Sequence, residues 1–195
     1  ITGSQGSGKS TLARVLVRQL NTLGVKATCV SLDDFYLPKK NHIELAHRVH
    51  PLLATRGVPG THDSRRLRVL LQQFARSKGP LNVSLPQFDK GKDDRINEIP
   101  VDAEMLVLEG WCLGVQPQPA ELLKKPVNDL ERLEDAQGTW RQWCNEQIRQ
   151  HYQPSWPLVD AWIVLQPPTF AQVFEWRRQQ EMDLPRSEAL SEDAL

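Results

Sequence analysis

Apolar residues recur at helical spacing directly after a glycine-rich opening stretch. Leu12, Val15, Leu16 and Leu20 follow a period of three to four residues, and Gly24 comes soon after them. Positions three and four apart share one face of a helix, and glycine commonly ends one. The pattern predicts an amphipathic helix that begins where the glycine-rich stretch ends.

Two predicted strands are followed by acidic residues. Residues 25–31 form a predicted short strand with Asp33 close behind it, and residues 105–108 form a compact apolar run with Glu109 directly after it. A third strand is predicted at residues 159–165. Apolar runs of this length are typical of strands buried in a parallel sheet. The acidic residues are therefore expected at the carboxyl edge of the sheet, where open α/β sheets bind ligands.

The rest of the chain alternates between helical and extended patterns. Further elements are predicted as helices at residues 43–55, 67–78, 140–152 and 170–181, and as a strand that begins near residue 81 and leads into a charged loop. Strands that alternate with helices favour an α/β fold of three layers, with a mainly parallel sheet flanked by helices.

The opening residues match the phosphate-binding pattern G-x-x-x-x-G-K-S, the P-loop or Walker A motif. In such a loop, backbone N–H groups surround the phosphates of a nucleotide, the lysine reaches the β- and γ-phosphates, and the hydroxyl of the serine binds Mg²⁺. A nucleotide and Mg²⁺ are therefore expected at this loop, and the fold class becomes a P-loop NTPase fold. The predicted nucleotide-binding residues are Gly3, Ser4, Gln5, Gly6, Ser7, Gly8, Lys9, Ser10 and Thr11.

Two strand ends offer carboxylates to this loop. Glu109 is the expected partner of Ser10 at a magnesium ion; the alternative is a solvated strand-end residue. Asp33 ends the strand after the P-loop helix and is expected near the γ-phosphate, as a metal-side group or as the acceptor of a hydroxyl proton. For Asp33 and Asp34 the alternative is that they cap the following turn.

An acceptor for the phosphate needs its own polar pocket, and two irregular segments offer one. These are RGVPGTHD, residues 56–63, and FDKGKDDR, residues 88–95. The alternative for the first segment is a turn in which Asp63 caps the next helix. The acceptor-side candidates are Asp34, Tyr36, Arg56, His62, Asp63, Lys90 and Arg95.

An arginine in the last predicted helix is a further catalytic candidate. The catalytic candidates are Lys9, Asp33, Glu109 and Arg177. Arg177 belongs to the last predicted helix and is expected to close over the phosphates and neutralise developing charge. The alternative is that Arg177 and the neighbouring Arg178 are simply two charged residues on the protein surface.

Composition limits the partners and the compartment. The 195 residues carry 24 Lys and Arg against 24 Asp and Glu, which gives no argument for nucleic acid as a partner. No apolar run approaches the length of a membrane span.

The three cysteines form no C-x-x-C pair, so that reduced thiols and a cytoplasmic location are expected. The length predicts one domain, residues 1–195.

Six motifs in a fixed order resemble the D-glycerate 3-kinase family. They are GSQGSGKST, SLDDFYLP, RGVPGTHD, PQFDKGKDDR, VLEGWCLG and FEWRRQQE, and they extend from Thr2 to about Glu181. The P-loop and DDFY are shared with the related uridine kinase, phosphoribulokinase and bacterial pantothenate kinase. RGVPGTHD and FDK-x-x-DDR separate the family from these relatives.

The resemblance implies transfer of the ATP γ-phosphate to a small hydroxy acid, which is D-glycerate in the characterised members. It implies that Asp33 is the base and Glu109 the metal-side acid, that Arg56, His62 and Asp63 face the acceptor, and that Arg177 belongs to a lid. The family pattern extends beyond both ends of this sequence, so that the domain is expected to be truncated at both ends.

Two other functions stay open at this stage. One is a uridine-kinase-like or pantothenate-kinase-like phosphotransferase, and the other is a regulatory P-loop ATPase that transfers phosphate to water. A GTPase is disfavoured because the chain has no N-K-x-D motif.

Overall fold

The computed structural model describes residues 1–182 of the chain. Its helices are α1 (Lys9–Thr22), α2 (Lys39–Arg48), α3 (Ser64–Arg76), α4 (Asp129–Glu134), α5 (Thr139–Gln147) and α6 (Phe170–Met182). Its strands are β1 (Thr2–Gly3), β2 (Ala27–Ser31), β3 (Leu81–Leu85), β4 (Phe88–Asp89), β5 (Asp94–Arg95), β6 (Ile99–Ala103), β7 (Met105–Glu109) and β8 (Val164–Leu165). The acidic residues 184–195, and with them the end of the predicted domain, lie outside the described residues.

A parallel sheet forms the centre of the fold. β2 pairs with β7 over five residues, from Ala27 opposite Met105 to Ser31 opposite Glu109. β1 pairs in parallel with β8, and a parallel bridge between Thr2 and Gly110 joins the two pairs. The resulting order is β2-β7-β1-β8, and it places the carboxyl end of β7 beside the start of the P-loop.

Helices cover both faces of this sheet. Ala13 of α1 packs with Val107 on one face, whereas Leu67 of α3 packs with Val30 and Leu108 on the other. Val107 and Leu108 are neighbours in β7 and face opposite sides, because side chains alternate along a strand. The sheet is therefore the middle of three layers, as predicted.

The structure also contains antiparallel pairs that the sequence did not predict. β3 pairs with β6, and β4 pairs with β5 in a hairpin whose loop spans residues 90–93. The central sheet is parallel, and these pairs lie outside it.

Several predicted boundaries were wrong. The helix predicted at residues 43–55 is α2, Lys39–Arg48, followed by a separate 3₁₀ turn at Pro51–Ala54; Pro51 has no N–H with which to continue α2. The strand predicted at residues 159–165 is only the two residues of β8, which pair with the two residues of β1. Among the described residues, no helix has the length and apolar character needed to cross a membrane.

Candidate active site

A cleft of about 740 Å³ lies at the carboxyl ends of β2 and β7 and the amino end of α1. It collects side chains from regions that are far apart in the sequence. The predicted site residues that line it are Gln5, Gly6, Gly8, Lys9, Ser10, Thr11, Asp33, Asp34, Tyr36, Lys90, Glu109 and Arg177. The P-loop, the two strand ends and the last helix therefore meet in one place.

The P-loop backbone depends on glycine at two positions. Gly6 and Gly8 have φ angles of +73° and +85°, which residues with a side chain rarely adopt. A Cβ atom on Gly6 would lie 2.6 Å from the Cβ atom of Trp176 in α6. The last helix therefore packs directly on the phosphate-binding loop.

Lys9 is held inside this loop. Its Nζ atom donates a hydrogen bond of 2.6 Å to the carbonyl oxygen of Ser4. Burial lowers the pKa of Lys9, while the negative charges of Glu109 and Asp33 oppose that change. The ammonium group is thus positioned at the loop before any phosphate arrives.

Ser10 and Glu109 form the pair of oxygen ligands expected at a magnesium ion. The Ser10 hydroxyl donates a hydrogen bond of 2.9 Å to Oε1 of Glu109, and Glu109 is buried. Mg²⁺ prefers oxygen ligands, and at nucleotide sites it is usually bound by one or two protein groups together with phosphates and water. The two side chains therefore fit a magnesium ion.

Asp33 and Asp34 differ in their surroundings. Asp34 caps the turn after β2: its Oδ2 accepts from the N–H of Ser31 at 3.1 Å, and its Oδ1 accepts from the N–H of Phe88 at 3.4 Å. Burial raises the pKa of Asp34. Asp33 instead points toward Lys90, whose Nζ lies 2.7 Å from its Oδ2. Capping, the alternative considered for both residues, describes the contacts of Asp34 but not those of the Asp33 carboxylate.

Tyr36 connects the cleft to a buried aromatic group. Its ring stacks on His62, with the ring centroids 4.3 Å apart. The Nδ1 atom of His62 lies 2.7 Å from the hydroxyl of Tyr152, and that hydroxyl accepts the N–H of Gly60 at 2.8 Å. Burial lowers the pKa of His62 to about 3, so that the ring is neutral at physiological pH. His62 lies behind Tyr36 and does not line the cleft.

Ion pairs join the two segments predicted to face the acceptor. Arg56 pairs with Asp93, and Nη2 of Arg95 lies 3.0 Å from Oδ2 of Asp63. Asp63 also caps α3 by accepting from the N–H of Arg66. Arg56, Asp63 and Arg95 therefore support the wall of the cleft, and their contact with an acceptor stays a prediction.

Replacing Arg95 with alanine should destabilise the fold. Besides pairing with Asp63, Arg95 donates to the carbonyl oxygen of Tyr36 at 2.8 Å. Losing these bonds is expected to lower the free energy of unfolding by about 1–3 kcal/mol, measured by urea denaturation. The control is Arg68→Ala at an exposed position of α3. Equal effects of the two substitutions would contradict this role of Arg95.

Some cleft residues were missed by the sequence analysis. Arg14, Trp111 and Trp176 line the cleft together with the predicted residues. Trp111 directly follows the Glu109-Gly110 pair, and Trp176 directly precedes Arg177, so that their positions next to predicted site residues were the available signals. Conversely, Gly3, Ser4 and Ser7 lie in the loop but do not line the cleft.

The sheet order, the glycine-rich loop at the amino end of α1 and the Ser10–Glu109 pair together define a P-loop nucleotide-binding protein. The comparisons with known proteins narrow this class. No protein-family profile matches the chain.

The chain is 34% identical to the uncharacterized kinase mug58 of Schizosaccharomyces pombe, an alignment that covers 93% of this chain and 68% of that protein. It is 29% identical to the chloroplastic D-glycerate 3-kinase of Arabidopsis thaliana, over 91% of this chain and 39% of that protein. The structure of D-glycerate 3-kinase from Cryptococcus neoformans matches with a TM-score of 0.77 and 26% identity, over 99% of this chain and 71% of that chain.

The chain belongs to the family of ATP-dependent P-loop kinases that includes D-glycerate 3-kinase. This confirms the resemblance and the fold class predicted from the sequence. The chain spans only part of the length of each of these relatives.

Proposed function

We propose that this chain is the catalytic part of a magnesium-dependent kinase that transfers the γ-phosphate of ATP to a hydroxyl group of D-glycerate or a similar small hydroxy acid. The main support is the meeting of Lys9, Ser10, Asp33 and Glu109 in one cleft. The similarity to D-glycerate 3-kinases supports the acceptor class.

The P-loop residues would hold the triphosphate. Backbone N–H groups at the amino end of α1 would face the phosphates, and Lys9 would exchange the Ser4 carbonyl for phosphate oxygens. Ser10 and Glu109 would bind Mg²⁺, which supplies positive charge to the β- and γ-phosphates when it is present. Arg177, at the wall formed by α6, would add a further positive charge.

Asp33 would orient the acceptor hydroxyl and accept its proton. In the reaction, the hydroxyl oxygen forms a bond to the γ-phosphorus while the bond from that phosphorus to the bridging oxygen of ADP breaks. The hydroxyl proton passes to the Asp33 carboxylate, and the products are ADP and a phosphate ester. Because the transition state of phosphoryl transfer is loose, Asp33 acts chiefly by orienting the hydroxyl.

A cytoplasmic location is part of the proposal. The cysteines among the described residues are free thiols, and burial raises the pKa of Cys112 and of Cys144 to about 12. Unreactive reduced thiols are typical of a reducing compartment.

The test is a coupled assay of ADP release with MgATP and a panel of acceptors. We expect D-glycerate to stimulate ADP release at least about tenfold over the background with water, because a positioned hydroxyl competes strongly with solvent. Stimulation by uridine or pantothenate but not by glycerate would contradict the proposed acceptor. Hydrolysis that no acceptor changes would instead indicate a regulatory ATPase.

A further inference from the structure

A lysine and the proposed base form an ion pair at the acceptor side of the cleft. Nζ of Lys90 lies 2.7 Å from Oδ2 of Asp33, and both residues line the cleft. The Lys90 side chain is 63% exposed and that of Asp33 is 27% exposed. The pair is therefore accessible to a small molecule.

The hairpin that carries Lys90 is anchored at several points. The N–H groups of Gly91 and Lys92 both donate to Oδ1 of Asp89, and Asp93 pairs with Arg56. Arg95, at the other end of the loop, binds the carbonyl oxygen of Tyr36. The backbone at Lys90 is thus held in place, while its side chain extends into the cleft.

The other cations at the cleft have different surroundings. Lys9 is placed at the phosphate-binding loop, and Arg14 donates to the carbonyl oxygen of Ser10 on α1. Arg177 belongs to α6, which packs on the same loop. Lys90 instead forms a direct ion pair with Asp33.

We infer that Lys90 binds the carboxylate of the acceptor while Asp33 binds its hydroxyl, an inference that rests on the proposed function. An ammonium group has three N–H donors, so that Lys90 can keep its bond to Asp33 and donate to a second carboxylate. The pair then holds the acceptor at two points.

This arrangement selects the class of acceptor by charge and by length. With hydrogen bonds of about 2.7–2.9 Å to each member of the pair, an acceptor whose hydroxyl and carboxylate lie on the order of 3–5 Å apart can reach both at once. Acids with a hydroxyl on the first or second carbon after the carboxyl carbon meet this condition. A neutral alcohol of the same size forms no ion pair with Lys90, and we expect it to bind about 10- to 100-fold more weakly.

The test compares D-glycerate with its neutral amide as acceptors. Replacing Lys90 with methionine keeps much of the side-chain volume and removes the charge. We expect K90M to raise the KM for D-glycerate about 10- to 100-fold and to change kcat/KM for the amide less than about threefold. K90R should keep most of the preference for the acid.

The matched control is Lys92→Met in the same hairpin. Lys92 is 75% exposed, its Nζ lies 3.7 Å from Asp89, and it does not line the cleft. K92M should leave the KM for D-glycerate within about twofold, since exposed ion pairs contribute little.

Three results would overturn the inference. An equal loss with both acceptors in K90M would show a structural role, and a rise in the KM for ATP alone would place Lys90 at the γ-phosphate. An unchanged preference for the acid would exclude Lys90 as its ligand. A wild-type protein that releases no ADP with D-glycerate would instead overturn the proposed function, and this inference with it.

Discussion

Asp33→Asn is expected to lower acceptor-dependent kcat by about 10²–10⁴-fold, the usual contribution of a positioned general base. Asparagine has nearly the same size but cannot take the hydroxyl proton, and it removes the negative charge that pairs with Lys90. Binding of MgATP should persist because the P-loop is unchanged. Steady-state ADP release and nucleotide titration measure the two effects separately.

The control for this substitution is Asp102→Asn. Asp102 is an exposed residue of β6 that pairs with Lys26 at 2.6 Å, outside the cleft. The Asp102→Asn substitution should leave kcat within about twofold of the wild-type value, since surface ion pairs have small effects. If Asp33→Asn retained near-normal turnover with the acceptor, Asp33 would have no place in the mechanism.

Glu109→Gln should impair the response to magnesium. Glutamine keeps an oxygen that can accept the hydrogen bond of Ser10, but it lacks the charge that binds a divalent cation. We expect the Mg²⁺ concentration for half-maximal rate to rise at least about tenfold and kcat to fall about 10²–10³-fold. Titration of the rate with Mg²⁺ at saturating ATP gives both numbers.

Glu104→Gln provides the comparison for the magnesium experiment. Glu104 is exposed just before β7 and accepts the N–H of Lys26. Its replacement should leave the Mg²⁺ dependence unchanged. An unaltered Mg²⁺ requirement in Glu109→Gln would remove Glu109 as a metal ligand.

The predicted site residues that line the cleft share a physical basis. The P-loop is a local motif of consecutive residues, and the ends of β2 and β7 were visible in the sequence as acidic residues that follow predicted strands. Because parallel strands place their carboxyl ends on one edge, Asp33 and Glu109 were expected to meet there. The register of Ser31 opposite Glu109 agrees with this expectation.

The acceptor side was harder to predict. β4 and β5 have two residues each, too few for a periodic signal, so that the hairpin carrying Lys90 read only as a charged loop. Arg56, Asp63 and Arg95 were predicted to face the acceptor, and that role stays a prediction. Their pairing across the two segments depends on contacts between residues more than 30 positions apart.

The sequence by itself determined the P-loop, the helix that follows it, the strands that end on acidic residues and the class of fold. These features depend on the spacing of residues that are close together in the sequence and on the pattern of apolar and polar residues within a single helix or strand. Only the tertiary structure decided that Asp34 caps a turn while Asp33 meets Lys90, and that His62 lies behind Tyr36 rather than at the cleft surface. Those outcomes depend on how distant segments pack, which local sequence does not encode.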